Sequence, residues 1–215
     1  MKTILCFGDS NTWGFIPESI LESHPRRHPP EVRWTGVLAR ELGAGFRVIE
    51  EGQNGRTTVH DDPFAVSRNA KPVLPAILES HKPLDLVILM LGTNDLKQIL
   101  NVSPGEIAMG VKVLAQMILS GDAGIAAKPP KLLLMCPPVI LDNSHLPDIK
   151  AKFPHAAELS RDLPRCYAAL ASALGCSYLN TQTLIEPSVV DGIHLDAAAH
   201  EKLGLAVAQK VKSLL

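Results

Sequence analysis

Apolar positions fall into two kinds of pattern along the chain. Short, almost uninterrupted apolar runs occupy residues 3–7 (TILCF), 47–50 (RVIE), 84–91 (LDLVILML), 131–136 (KLLLMC) and 177–179 (SYL). The third and fourth are apolar at nearly every position, as expected of parallel strands covered on both faces. Between the runs, apolar residues recur at helical spacing. The segment 32–42 ends at Gly43, a plausible helix stop. The segment 71–80 is apolar-spaced but interrupted by proline. The segment 103–119 opens with Ser103 as a cap, Pro104 in the first turn and Glu106 three residues after the cap. The segment 156–174 carries Leu159, Leu163, Tyr167, Leu170 and Leu174 on one face, with Pro164 expected to kink or split it. The segment 196–215 starts at Asp196, a candidate N-cap, and aligns Leu203, Val207, Val211 and Leu214.

Strand and helix alternate five times, which predicts an α/β fold: a five-stranded parallel sheet between two helical layers. In such sheets ligands bind beyond the carboxyl ends of the strands, so chemistry is expected immediately after strands. A single domain over residues 1–215 is expected. The segments 16–30 and 137–155 read as long loops beside the ends of strands one and four, where they can border a pocket or make subunit contacts.

Composition narrows the function. With 21 Lys+Arg against 22 Asp+Glu, the formal net charge is -1, and no basic run offers a nucleic-acid or anionic-lipid surface. An aromatic content of 4% also disfavours base stacking. The opening MKTILCFGDS breaks at Gly8-Asp9, too soon for an export signal, and no apolar stretch is long enough to span a bilayer. A cytoplasmic location without membrane association is therefore expected. Cys6, Cys136, Cys166 and Cys176 form no C-x-x-C pair, so reduced, buried thiols are expected and no metal site is.

Four strand ends carry polar residues suited to acyl transfer. Gly8-Asp9-Ser10 follows strand one. Ser10 there can attack a carbonyl, and its own N–H can bind the resulting oxyanion. Asn54-Gly55 follows strand two, and the bare Gly55 N–H can approach a substrate oxygen. Gly92-Thr93-Asn94-Asp95 follows strand three; the Asn94 amide can donate to an oxyanion, Thr93 is assigned to the substrate side, and Asp95 to capping the next segment. Asp191-Gly192-Ile193-His194 precedes the last helix, with a base and an orienting carboxylate three residues apart. Each tetrad alone reads equally well as a turn; the combination of nucleophile, donors, base and orienter in one chain does not.

Taken together, GDSN, Gly55, GTND and DGIH resemble the four blocks of the SGNH hydrolases, the GDSL-type esterases. The stretches CFGDSNTWGF, VRWTGVLA, VIEEGQNGRTT, DLVILMLGTND and DGIHLD are similar to the bacterial arylesterase and acyltransferase subgroup. The resemblance implies a three-layer, flavodoxin-like α/β/α sandwich, with Ser10 as nucleophile, His194 as base and Asp191 as orienter. It implies an oxyanion hole from Ser10, Gly55 and Asn94, and no metal or organic cofactor. The family often has Leu after the serine; Asn11 stands there in this chain and is assigned to the acyl or alcohol site. Trp13, Phe15 and Ile193 read as an apolar wall for an aryl or short acyl group, with core or subunit packing the other reading for Trp13 and Phe15.

The expected activity is hydrolysis of small aryl or short-chain esters through an acyl-enzyme, with acyl transfer to alcohols as a second outcome in a homo-oligomer that narrows the site. A carbohydrate deacetylase would use the same machinery in a more polar pocket. A non-catalytic flavodoxin-like binding module would not need the four blocks.

Overall fold

The computed structural model describes residues 1–142 and 145–215. Five strands, β1 (Lys2–Gly8), β2 (Phe46–Gly52), β3 (Leu86–Met90), β4 (Lys131–Cys136) and β5 (Ser177–Asn180), form one all-parallel sheet in the order β2-β1-β3-β4-β5. The expected three-layer α/β/α sandwich follows from the alternation within each strand. In β1, Leu5 and Phe7 enter one apolar cluster while Ile4 and Cys6 enter the other. In β3, Val87 and Leu89 face the first cluster, and Leu86, Ile88 and Met90 the second. A strand with both faces apolar must be covered on both sides. Helices α3 (Leu74–His81), α4 (Pro104–Ser120) and α6 (Ala156–Leu174) cover the first face; α2 (Trp34–Leu42) and α7 (Ala197–Leu214) cover the second. Two shorter helices, α1 (Ser10–Trp13) and α5 (Pro147–Lys152), complete the set.

The helix ends follow local chemistry. Ser103 and Glu106 form a reciprocal capping box at the start of α4, and Asp196 accepts from Ala199 N–H to begin α7. Pro164 does not split α6: the helix runs unbroken from Ala156 to Leu174. A proline leaves the carbonyl four residues earlier without its intrahelical donor. Here the orphan is Ser160 O, and Gln182 Nε2 supplies the missing bond at 2.8 Å. The segment expected as a loop over 137–155 contains α5; residues 143 and 144 of that loop lie outside the described residues.

The strand order reverses between β1 and β3, each of which starts a run to one edge of the sheet. The crevice at that switch point lies between the carboxyl ends of β1 and β3, where Ser10 and Asn94 begin the next segments. No helix among the described residues is long and apolar enough to cross a membrane. Cys6 and Cys136 are buried, Cys166 and Cys176 half-buried, and all four are free thiols.

Candidate active site

Ser10 is the first residue of α1, directly after β1. Asp9 caps the turn by accepting from Asn11 N–H at 3.0 Å. As the first helical residue, Ser10 has no intrahelical acceptor for its own N–H, which donates to no other described residue. The Ser10 hydroxyl meets His194 Nε2 at 2.9 Å across a sequence separation of 184 residues. On the other side of the ring, His194 Nδ1 lies 2.5 Å from Asp191 Oδ2.

The loop carrying the last two residues is organised by Asp191 itself. Its Oδ1 accepts from the N–H groups of Ile193 and His194, both at 2.9 Å. Gly192, between them, has φ +74, a left-handed conformation that a side chain would strain. Burial raises the Asp191 pKa, but the imidazole and the two backbone donors outweigh it and hold the carboxyl below the usual range. The carboxylate therefore fixes Nδ1 as the protonated ring nitrogen and leaves Nε2 free to accept from Ser10.

Opposite His194, two neutral donors face the same space. Gly55 sits in a tight turn with φ +77, and its N–H donates to no other described residue. Asn94 donates through Nδ2 to the Arg56 carbonyl at 3.1 Å, which orients the amide and leaves its second N–H available. Arg56 is in turn fixed to the end of β1 by a 2.8 Å bond from Nη1 to Gly8 O. Burial lowers the Arg56 pKa to about 10. Its part in orienting Asn94 left no trace in the sequence beyond its place after Gly55.

Ser10, Gly55, Asn94 and His194 line a cavity of about 180 Å³. Phe15, Ile20, Phe153 and Ile193 supply its apolar wall. Phe15 lies parallel to the His194 ring with centroids 4.1 Å apart. Ile20 comes from the segment 16–30, and Ile149 and Phe153 from the segment 137–155; the two long loops do border the pocket, but no spacing rule singled out these residues.

Three residues assigned to the substrate side do not line this cavity. The Asn11 side chain is 1% exposed and spends both its polar atoms on backbone, donating to Ile193 O at 3.2 Å and accepting from Leu195 N–H at 3.0 Å. Thr93 is 3% exposed and turned toward the Asp9 carboxyl. Trp13 packs under the Arg27 guanidinium, 5.2 Å from its ring centroid. Asp95 caps no segment among the described residues; it is buried, accepting from Thr58 N–H, from the Thr58 hydroxyl at 2.6 Å, and facing His60 Nδ1 at 2.8 Å. Among the described residues, no three His, Cys, Asp or Glu side chains are grouped to hold a metal ion.

A serine, an imidazole and a carboxylate in line, beside converging N–H donors, match the requirements of acyl transfer. The model of the GDSL-like lipase/acylhydrolase family matches residues 6–202. Among solved structures, an aryl esterase of M. smegmatis superposes with a TM-score of 0.95 at 42% identity, covering 100% of both chains. A carbohydrate acetylesterase from Sinorhizobium meliloti has a TM-score of 0.95 at 40% identity, again over 100% of both chains. A second carbohydrate acetylesterase family member from that organism has a TM-score of 0.93 at 35% identity, covering 100% of this chain and 99% of its own. No curated protein sequence matches. The chain belongs to the GDSL-like lipase/acylhydrolase family and is a carboxylic-ester hydrolase of the SGNH type.

Proposed function

We propose that Ser10, His194 and Asp191 are the catalytic triad and that the preferred substrates are small aryl or short-chain acyl esters. The observation that carries this reading is the unbroken hydrogen-bonded line from Ser10 Oγ through His194 to Asp191. His194 Nε2 takes the hydroxyl proton as Ser10 Oγ attacks the ester carbonyl. The oxyanion is received by the N–H groups of Ser10 and Gly55 and by the Asn94 amide. The imidazolium returns its proton to the departing alkoxide oxygen. Water then repeats the sequence on the acyl-enzyme, releasing the acid. The triad needs no cofactor.

The apolar wall of Phe15, Ile20, Phe153 and Ile193 supports an aryl or short acyl occupant over an acetylated sugar. The acetylesterase relatives keep the sugar reading as the competitor. A panel of acetylated sugars against 4-nitrophenyl acetate separates them; a wide margin for the sugars refutes the aryl reading. Ser10→Ala should abolish turnover of 4-nitrophenyl acetate while circular dichroism stays native, and retained turnover refutes the triad.

A cytoplasmic homo-oligomer is part of the same proposal. Leu21, Phe64 and Val66 are 75%, 83% and 87% exposed, apolar side chains that a subunit contact would cover. Light scattering at the subunit mass would refute the oligomer. Acyl transfer to added alcohols then follows where the assembly limits water.

A further inference from the structure

Next to the catalytic cavity lies a larger one, of about 720 Å³. Asn54, Gly55, Lys97 and Lys152 line both, so the two are continuous at the oxyanion side. His194, Phe15 and Ile193 line only the smaller. The larger cavity carries three cations, Arg68, Lys97 and Lys152, and one carboxylate, Asp62. Asp62 is already committed: it pairs with Lys97 at 2.7 Å, and both side chains are 7% exposed. Burial raises the Asp62 pKa, but the Lys97 bond and the fields of Lys97 and Lys152 leave it lowered. Arg68 and Lys152 form no side-chain hydrogen bond or ion pair with any described residue. Three cations against the single carboxylate Asp62 leave the cavity with an excess of positive charge. These charges are near the chemistry: a β-carbon placed on Gly55 would lie 3.3 Å from Arg68 Nε and 3.8 Å from Lys97 Nζ.

We infer that this second cavity receives the acyl arm of the substrate and that the arm ends in a carboxylate. The inference rests on the triad reading and names the substrate class for it: esters of dicarboxylic acids with one carboxyl free. The direction of the arm follows from the intermediate. Four groups surround the attacked carbon: Ser10 Oγ, the oxyanion at Gly55 and Asn94, the leaving oxygen, and the acyl chain. The leaving oxygen must stay within reach of His194 Nε2 to take its proton, and His194 is absent from the larger cavity. The acyl chain is the group left to enter it. Phe64, Ala65 and Ile99 provide apolar contacts for its methylenes, and Arg68 and Lys152 provide the countercharge for its end. Water splits the acyl-enzyme at the Ser10 ester, so the products are the free dicarboxylate and the alcohol.

The test is a matched pair: 4-nitrophenyl hemiadipate and 4-nitrophenyl hexanoate, equal in chain length and differing in the terminal charge, each corrected for spontaneous hydrolysis. The wild-type enzyme should favour the hemiadipate in kcat/KM by about tenfold or more, as expected for one well-placed charge-assisted contact. The ratio should fall toward one in Arg68→Gln and in Lys152→Gln, mainly through KM, and should shrink with added NaCl. A wild-type ratio of one or below, with hexanoate turned over, overturns the inference. So does a ratio that both substitutions leave unchanged. If neither ester is turned over while 4-nitrophenyl acetate is, the inference is overturned and the triad reading stands; if 4-nitrophenyl acetate is not turned over either, the triad reading fails, and calorimetry with free adipate and hexanoate on the Ser10→Ala protein still decides the site. Adipate binding tighter than hexanoate, and weakened by Arg68→Gln, sustains it; equal or weaker binding overturns it.

Discussion

Asn11 clasps the backbone on both sides of His194. Its Nδ2 donates to Ile193 O at 3.2 Å and its Oδ1 accepts from Leu195 N–H at 3.0 Å. The residue after the nucleophile thus ties the β1 end of the chain to the loop that carries the base, 184 positions away along the chain. Asn11, assigned from sequence to the acyl or alcohol site, is buried here and staples the segment after Ser10 to the loop that carries His194.

Removing that staple should separate positioning from binding. Asn11→Ala leaves a buried carbonyl and a buried N–H without partners, each worth about 1–3 kcal/mol. The melting temperature should fall, and kcat on 4-nitrophenyl acetate should fall with KM nearly unchanged, since no substrate contact is lost. A rise in KM at constant kcat would return Asn11 to the substrate side.

Asp9 should make stability depend on pH. It is 0% exposed, and burial raises its pKa from 3.8 to about 6 despite the bond from Asn11 N–H and the His194, Thr93 and Arg56 contributions. A carboxyl whose folded pKa is raised binds its proton more tightly when folded. Its favourable contribution is complete below pH 3.8 and is lost as pH rises through about 6. The shift corresponds to roughly 3 kcal/mol at most. Denaturant titrations of wild type and Asp9→Asn at pH 5 and pH 8 check this: the variant should gain relative stability at pH 8. Parallel curves at both pH values would contradict the assignment.

His60 reports on the buried Asp95. The Asp95 hydrogen bond raises the His60 pKa above 6.5, against a partial desolvation. The stabilising contribution is full below 6.5 and is lost as pH rises through the folded value. NMR titration should place His60 above the ordinary range, and Asp95→Asn should lower it. Asp95→Ala should also destabilise the fold by about 3 kcal/mol, since it strips partners from the buried Thr58 N–H and hydroxyl.

Asn94 should act on the transition state. Asn94→Ala removes an oxyanion donor and should lower kcat by about 10²-fold, with little change in KM. The Arg56 carbonyl loses its partner in the same variant, so a thermal melt is needed alongside. An unchanged kcat in a folded protein would exclude the amide from the oxyanion hole.

The sheet was legible in the sequence because β1, β3 and β4 are buried on both faces, and so apolar, over all but their first one or two residues in β1 and β4. The ends of β2 were less so: its edge position leaves it half-buried, and polar Arg47, Glu50 and Glu51 interrupt the pattern. The candidate Ser10–His194–Asp191 line was legible because Ser10 lies just after a strand and Asp191 and His194 lie just before the last helix, where polar residues that can act on a ligand are expected. The pocket wall was not. Ile149 and Phe153 lie in and just after α5, within a segment whose proline and polar residues mask the short helix. Ile20 follows a single 3-10 turn. That Asn11 turns to backbone and Thr93 toward the Asp9 carboxyl depends on contacts with residues about 80 to 180 positions distant, which no local pattern encodes.

The most direct test of the account is to trap the covalent intermediate. Wild-type protein mixed with excess 4-nitrophenyl acetate and quenched in acid within the burst phase should carry one acetyl group, located by peptide mass spectrometry on Ser10. Neither Ser10→Ala nor His194→Ala should carry it. Acetyl found on another side chain, or steady turnover with an unmodified Ser10 peptide and no burst, would contradict the account.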